Sequence, residues 1–204
     1  MTVYIPCYFD NNTEREIRVN LVIKAYSQLF ENVVILWMNK SLPPYYNNVC
    51  YINSPKVSAP KARNILLDIF YNSTQEYCIL SDDDTLVLDL SIVAIKGDCV
   101  SFVNDKYIHN TNAYFISSAI LKLKNFKLKY NKVFYFDETL EIAQDLDFGL
   151  QLYKQDIYGV RYTTKSVEIY NGISVLCPSK LKRRNKYQET IKHLQLKHNI
   201  IIPY

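Results

Sequence analysis

One stretch limits what this chain can fold into more than any other: Tyr77-Cys-Ile-Leu-Ser-Asp-Asp-Asp-Thr85. An apolar run with β-branched Ile79 drives straight into three consecutive carboxylates, Asp82, Asp83 and Asp84. Such a run ending in polar residues reads as a buried strand that stops at a sheet edge. Side chains alternate along a strand, which directs Asp82 and Asp84 to one side and Asp83 to the other. Two like charges about 5 Å apart repel by roughly 1 kcal/mol in water, and by about 3 kcal/mol at an effective dielectric of about 20. The cluster is relieved either by solvent, as an acidic turn, or by a cation. A hard divalent ion, Mg²⁺ or Mn²⁺, takes one or two carboxylates, with waters and phosphate completing its shell. On these residues alone both readings stand.

The residues leading to this stretch alternate between strand and helix patterns. Residues 2–8 are a short apolar run broken by Pro6. Thr13-Glu-Arg-Glu16 has the capping-box pattern, and Ile17, Leu21, Ala25 and Leu29 recur at helical spacing, which predicts a helix over residues 13–30. Residues 32–37 and 49–52 read as strands, separated by a loop with Pro43-Pro44. Ser58 is a plausible cap for a second helix whose buried stripe is Ala62, Ile65, Leu66, Ile69 and Phe70, with Arg63 beside it. This alternation predicts an α/β sheet of mostly parallel strands. Ligands of such sheets bind outside the carboxyl ends of strands, so Pro6-Cys7-Tyr8, Trp37-Met38-Asn39 and Asp82-Asp83-Asp84 share one rim.

The second half is less regular. Residues 99–103, 113–117, 158–163 and 167–170 read as strands, and residues 119–124 as a short helix. A second acidic patch, Asp137-Glu138, precedes Gln144-Asp-Leu-Asp147, and Leu146, Leu150 and Tyr153 share one face of a helix over residues 143–155. Tyr187, Ile191 and Leu194 are spaced to dock a terminal amphipathic helix.

At 204 residues, 49% of them hydrophobic and 22% charged, the chain suits a single packed domain and excludes disorder. With only four glycines and no G-x-x-x-x-G-K or G-x-G-x-x-G, an anionic ligand is not held by a glycine-rich phosphate loop. The net charge of +4 is unevenly placed: Lys180, Lys182, Arg183, Arg184, Lys186, Lys192 and Lys197 face a single acid, Glu189, in the last segment. Such a run is a solvated surface or a meeting place for donor phosphates, nucleic acid or a lipid surface. Cys7, Cys50, Cys78, Cys99 and Cys177 are odd in number and scattered, mostly in apolar runs, which predicts buried free thiols in a reducing compartment. The start lacks a signal-peptide pattern and no apolar run approaches a membrane span, so a cytoplasmic location is expected.

Ala62-Arg63-Asn64 opening a helix, a strand ending in Asp-x-Asp, Phe136-Asp-Glu and Gln144-Asp-Leu-Asp147 occur in order after an Ile-Pro-x-Tyr start. Together they resemble nucleotide-sugar-dependent glycosyltransferases of the GT-A fold, family 2-like, over roughly residues 2–175. The resemblance implies a single GT-A domain over residues 1–204, with a donor-binding half (1–100) and an acceptor half (101–204) that carries the basic terminal helix. It implies that Asp82 and Asp84 hold Mn²⁺ or Mg²⁺ on the diphosphate of a UDP- or GDP-sugar. Pro6, Tyr8, Asn39, Arg63 and Asp83 complete the donor side. It also implies that Asp145 is the catalytic base of an inverting transfer to a glycan or other hydroxyl acceptor. Asp147, about 200° further round the helix, is the second candidate. His109 and Asn171 are candidates for sugar or acceptor contact.

The chain departs from the family pattern at Trp37-Met38-Asn39, where acids commonly read the base, at Gln144, where Glu is usual, and at Asn171, where a metal-binding His is common. A retaining mechanism and a catalytically weak binding module are therefore carried as alternatives. A haloacid-dehalogenase-type phosphatase is rejected, because Leu86 stands where its motif requires threonine. Abundant Asn, Ile, Lys and Tyr suit an AT-rich viral or phage genome, with the host cytoplasm as location. The basic segment keeps a modified nucleic-acid base open as acceptor.

Overall fold

The computed structural model describes residues 1–9, 12–104, 119–169 and 180–202, with backbone alone at 104, 169 and 180–184. Its first half runs β1 (Thr2–Cys7), α1 (Thr13–Leu29), β2 (Asn32–Trp37), β3 (Val49–Asn53), α2 (Ala59–Tyr71) and β4 (Tyr77–Ser81). The second continues through β5 (Thr85–Val87), α3 (Ser91–Ala94), β6 (Cys99–Asn104), β7 (Ile120–Lys124), α4 (Phe126–Tyr130), α5 (Gln144–Tyr153), β8 (Gly159–Thr164), β9 (Val167–Ile169) and α6 (Lys180–His198).

Seven strands form one sheet in the order β3-β2-β1-β4-β7-β6-β8, and β5 pairs with β9 in a small second sheet. β7 pairs antiparallel with both neighbours, while the other pairings in the large sheet are parallel. This is the mixed, mostly parallel α/β architecture expected from the alternation. From β1 the chain steps outward to β2 and β3, then returns with β4 on the opposite side of β1. The loops leaving β1 and β4 therefore diverge, and a crevice opens at their carboxyl ends.

Strand alternation feeds a core on each face. Val3, Ile5 and Ile79 pack with Val22, Ile23 and Tyr26 of α1, whereas Tyr4, Leu36 and Leu80 pack with Leu66 and Phe70 of α2. Each such side chain contributes roughly 1.5–3 kcal/mol when fully buried. The buried face of α1 is Val19, Val22, Ile23 and Tyr26. Ile17 and Leu21, whose spacing marks the helix, are 57% and 51% exposed. Two apolar series interleave along α1, and the one with tighter three-and-four spacing meets the sheet. Asn12, rather than Thr13, caps this helix, its Oδ1 accepting from the Arg15 amide at 3.0 Å.

The helix expected at 119–124 is strand β7 instead. Leu121-Lys122-Leu123-Lys124 has period two, and Lys122 is buried because its Nζ donates to the carbonyls of Val93 and Ile95. The strand expected at 113–117 lies outside the described residues. Cys7, Cys78 and Cys99 are buried free thiols as expected, Cys50 is exposed, and Cys177 lies outside the described residues.

α6 docks on α5 through Leu146, Leu150, Ile191 and Leu194. A charged anchor joins them: Asp147, fully buried, accepts from Lys197 Nζ and His198 Nε2 at 2.7 Å each on one oxygen, and from Gln151 Nε2 at 2.7 Å on the other. Burial alone would raise this carboxyl, but the bonds from His198, Lys197 and Gln151 hold it below the ordinary carboxylate range. A depressed native value stabilises the fold above the unfolded value and loses that stability as pH falls through the native one. Wild-type stability is therefore expected to fall below about pH 4 partly through this group. Asp147→Asn should cost about 1–3 kcal/mol at pH 7 and flatten that acid limb, as read by urea unfolding across pH. An unchanged acid limb would remove Asp147 as the anchor.

Candidate active site

The crevice at the ends of β1 and β4 holds a cleft of about 420 Å³, lined by Tyr8, Met38, Lys56, Arg63 and the three consecutive aspartates among others. β4 ends at Ser81, and the chain then turns, with the Thr85 amide donating to the Asp82 carbonyl at 3.3 Å. The strict alternation expected of a strand is thus replaced by a turn that lets all three carboxylates line the cleft.

Each acid has a different environment. Asp82 takes the Arg63 guanidinium at 2.5 Å through Nη2. Asp83 is buried, accepting from the Tyr8 amide at 2.9 Å and from Arg15 Nη2 at 3.1 Å. Burial raises its pKa against the lowering pull of Arg15. Asp84 is half-buried, and burial together with the neighbouring charges of Asp82 and Asp83 pushes it up to about 7. The turn thus concentrates negative charge where the sheet delivers it.

Residues 63 and 64 of α2 pull the second half onto this turn. Arg63, 7% exposed, donates through Nη1 to Gln144 Oε1 at 3.0 Å and lies 5.4 Å from the centre of the Phe136 ring. Asn64 exchanges hydrogen bonds with the main chain of Phe136 at 2.8 and 2.9 Å and donates to Glu138 at 3.0 Å. Phe136 stacks on Phe148 of α5 with ring centres 4.6 Å apart. Ala62-Arg63-Asn64, Asp82, Phe136-Asp-Glu and Gln144 are thereby brought together in space.

Asp145 follows Gln144 in the first turn of α5, half-buried, with its Oδ1 accepting from the Leu146 amide at 3.0 Å. Arg161 of β8 and Tyr187 of α6 lie within its electrostatic reach. Asp147, the second candidate, points away from the cleft and anchors α6. Asn39 braces the β1 loop, accepting from the Phe9 amide at 2.9 Å and donating to the Cys7 carbonyl at 3.2 Å, and is not among the residues that line the cleft. Pro6 and Tyr8 line the cleft. His109 and Asn171 lie outside the described residues.

Sequence reasoning missed Arg15 and Lys56. Arg15 reaches Asp83 from α1, a pairing 68 positions apart that no local pattern announces. Lys56 donates to the Tyr8 hydroxyl at 2.7 Å from the loop before α2. A cation just ahead of a helix that opens on the cleft was the available signal.

The described part of the chain thus has a GT-A-like fold with an acidic cleft at its switch point. No protein-family model matches the sequence, and no characterised protein matches it at the sequence level. Solved structures do match in fold. A mannosyltransferase from Pyrobaculum calidifontis in complex with GDP-Man and Mn²⁺ superposes with a TM-score of 0.65 at 13% identity, over 100% of this chain and 65% of that one. TarS of S. aureus in complex with UDP gives 0.55 at 15% identity, over 80% of this chain and 60% of that one. A protein from STIV gives 0.52 at 16% identity, over 85% of each chain. The chain thus spans less than two thirds of the length of the mannosyltransferase and TarS chains. No helix among the described residues is long and apolar enough to cross a membrane.

Proposed function

We propose that this chain is a glycosyltransferase that moves a sugar from a nucleoside-diphosphate donor, a UDP- or GDP-sugar, to an acceptor hydroxyl with the help of a divalent metal. The observation that carries this reading is the turn of three carboxylates at the switch point, paired with Arg15 and Arg63. Asp82 and Asp83 are each paired with a guanidinium, whereas Asp84 is pushed up to about 7 by burial and by the charges of those two neighbours. The fold neighbours are a UDP complex and a complex with GDP-Man and Mn²⁺, which suits the same donor class.

The donor set fits Mn²⁺ or Mg²⁺: hard oxygens, crowded and partly desolvated. Among the described residues no group of three or more His, Cys, Asp or Glu side chains is placed to hold an ion, so phosphate and water oxygens would have to supply most of its shell. Asp84 and Asp82 would hold the ion. When bound, it would supply the positive charge that offsets the developing diphosphate anion.

The chain's own residues divide the remaining work. Arg15, partly exposed beside Asp83, is placed to meet a phosphate as well. Tyr8, which lines the cleft beside Lys56, offers an aromatic ring on which a base would stack. Asp145 takes the proton from the acceptor hydroxyl while that oxygen bonds the anomeric carbon. The bond from that carbon to the diphosphate oxygen breaks, and its electron pair leaves with the diphosphate. The first turn of α5 favours the ionised carboxylate that a base requires.

A thermal-shift panel of nucleotide sugars, each with and without Mn²⁺, tests this function. Stabilisation of about 2.7 kcal/mol is expected from a donor at one hundred times its Kd, and only with the ion present. No shift with any UDP- or GDP-sugar would sink the donor reading.

A further inference from the structure

We propose that Arg63 is a positioning residue that couples the donor turn to the helix start bearing Asp145, with Gln144 as its receiving end. This rests on the glycosyltransferase reading for its purpose, but its geometry stands apart from any donor.

Arg63 is a planar fork whose two terminal nitrogens point to different halves of the protein. Nη2 holds Asp82 at 2.5 Å and Nη1 holds Gln144 Oε1 at 3.0 Å. Gln144 cannot turn away, because its Nε2 donates to the Leu140 carbonyl at 2.9 Å, which leaves Oε1 for Arg63. A glutamate there would compete with Asp82 for the guanidinium, whereas the neutral amide accepts a hydrogen bond and leaves the charge on Asp82.

The helix start needs such a tether. Ala143, the cap residue of α5, is left-handed with φ 57°, and its side chain makes no capping bond. That conformation costs an L-residue roughly 1–2 kcal/mol and persists only when neighbours impose it. The Arg63–Gln144 bond acts on the residue directly after Ala143 and directly before Asp145. Phe136, packed between Arg63 and Phe148, supports the same turn from the side. A shift at Asp82 would therefore be passed through one buried guanidinium to Asp145.

Two variants test this. Arg63→Lys keeps a charge for Asp82 but cannot span both partners. Gln144→Ala removes only the receiving end. Hydrogen exchange of the Asp147 and Phe148 amides, in protein without donor, is expected to quicken about tenfold in both variants, with α2 and β4 protection unchanged. With a donor and acceptor that turn over, both should lower kcat about tenfold or more while donor KM stays within about threefold. Exchange at wild-type rates in both variants would overturn the coupling whether or not any sugar is transferred. Equal losses in kcat and donor affinity would also overturn it, by making Arg63 a plain donor ligand. Faster exchange in a protein that transfers no sugar would instead leave the coupling standing and remove the proposed function.

Discussion

Without divalent ion at pH 8, Asp84→Asn is expected to unfold about 4–8 °C above the wild type, and added Mn²⁺ should no longer stabilise it. The reasoning starts from the native carboxyl, pushed up to about 7 by burial and by the charges of Asp82 and Asp83. An acid whose native pKa lies above its unfolded value contributes stability that is complete below about pH 4, the unfolded value. That contribution is lost as pH rises through about 7, the native value. Wild type therefore weakens across that window, and asparagine, which cannot ionise, does not. Discounted for solvent screening, the difference is on the order of 2 kcal/mol. The same substitution should lower transfer about 10²–10³-fold, because the charge that offsets the departing diphosphate is no longer held. Melting curves from pH 4 to 9 for both proteins, with and without Mn²⁺, decide the matter. A variant that follows the wild-type pH curve, or gains as much from Mn²⁺, would show that Asp84 is a solvated turn residue.

What could be read from residue order was what local physics controls. The run from Tyr77 into Asp82 fixed β4 and its end, because a strand buried on both faces must be continuously apolar. The first-half alternation gave the parallel sheet, and with it the switch point between β1 and β4. The environments of the acids were not legible. Asp83 is decided by Arg15, which arrives from another helix, and Asp147 by Lys197 and His198, 50 and 51 positions away. Asp145 and Asp147 share a helix turn and a residue type, so only tertiary contacts separate a half-buried acid beside Arg161 and Tyr187 from a fully buried anchor. β7 misled for a related reason: a lysine reads as solvent-facing until the carbonyls of Val93 and Ile95 are found waiting for it.

That division of labour on α5 sets the second large effect. Asp145→Asn is expected to leave donor binding within about twofold of wild type while lowering transfer about 10²–10⁴-fold, the range for loss of a general base. Asparagine keeps the shape and can still accept from the Leu146 amide, as Asp145 Oδ1 does at 3.0 Å, so α5 should start unchanged. What is lost is the capacity to hold the acceptor proton. In an inverting transfer, the hydroxyl cannot complete its bond to the anomeric carbon without passing that proton to a base. A loss confined to kcat, with donor affinity intact, therefore assigns Asp145 to the transition state rather than to binding. Initial rates across donor and acceptor concentrations separate the two, and NMR of the first-formed product gives its anomeric configuration. Full activity in Asp145→Asn would remove the base, and retained configuration would remove the inverting course. Because Asp147 is buried beneath the same turn, a loss in Asp145→Asn with wild-type melting behaviour cannot be traced to the α6 anchor, and must come from the carboxylate itself.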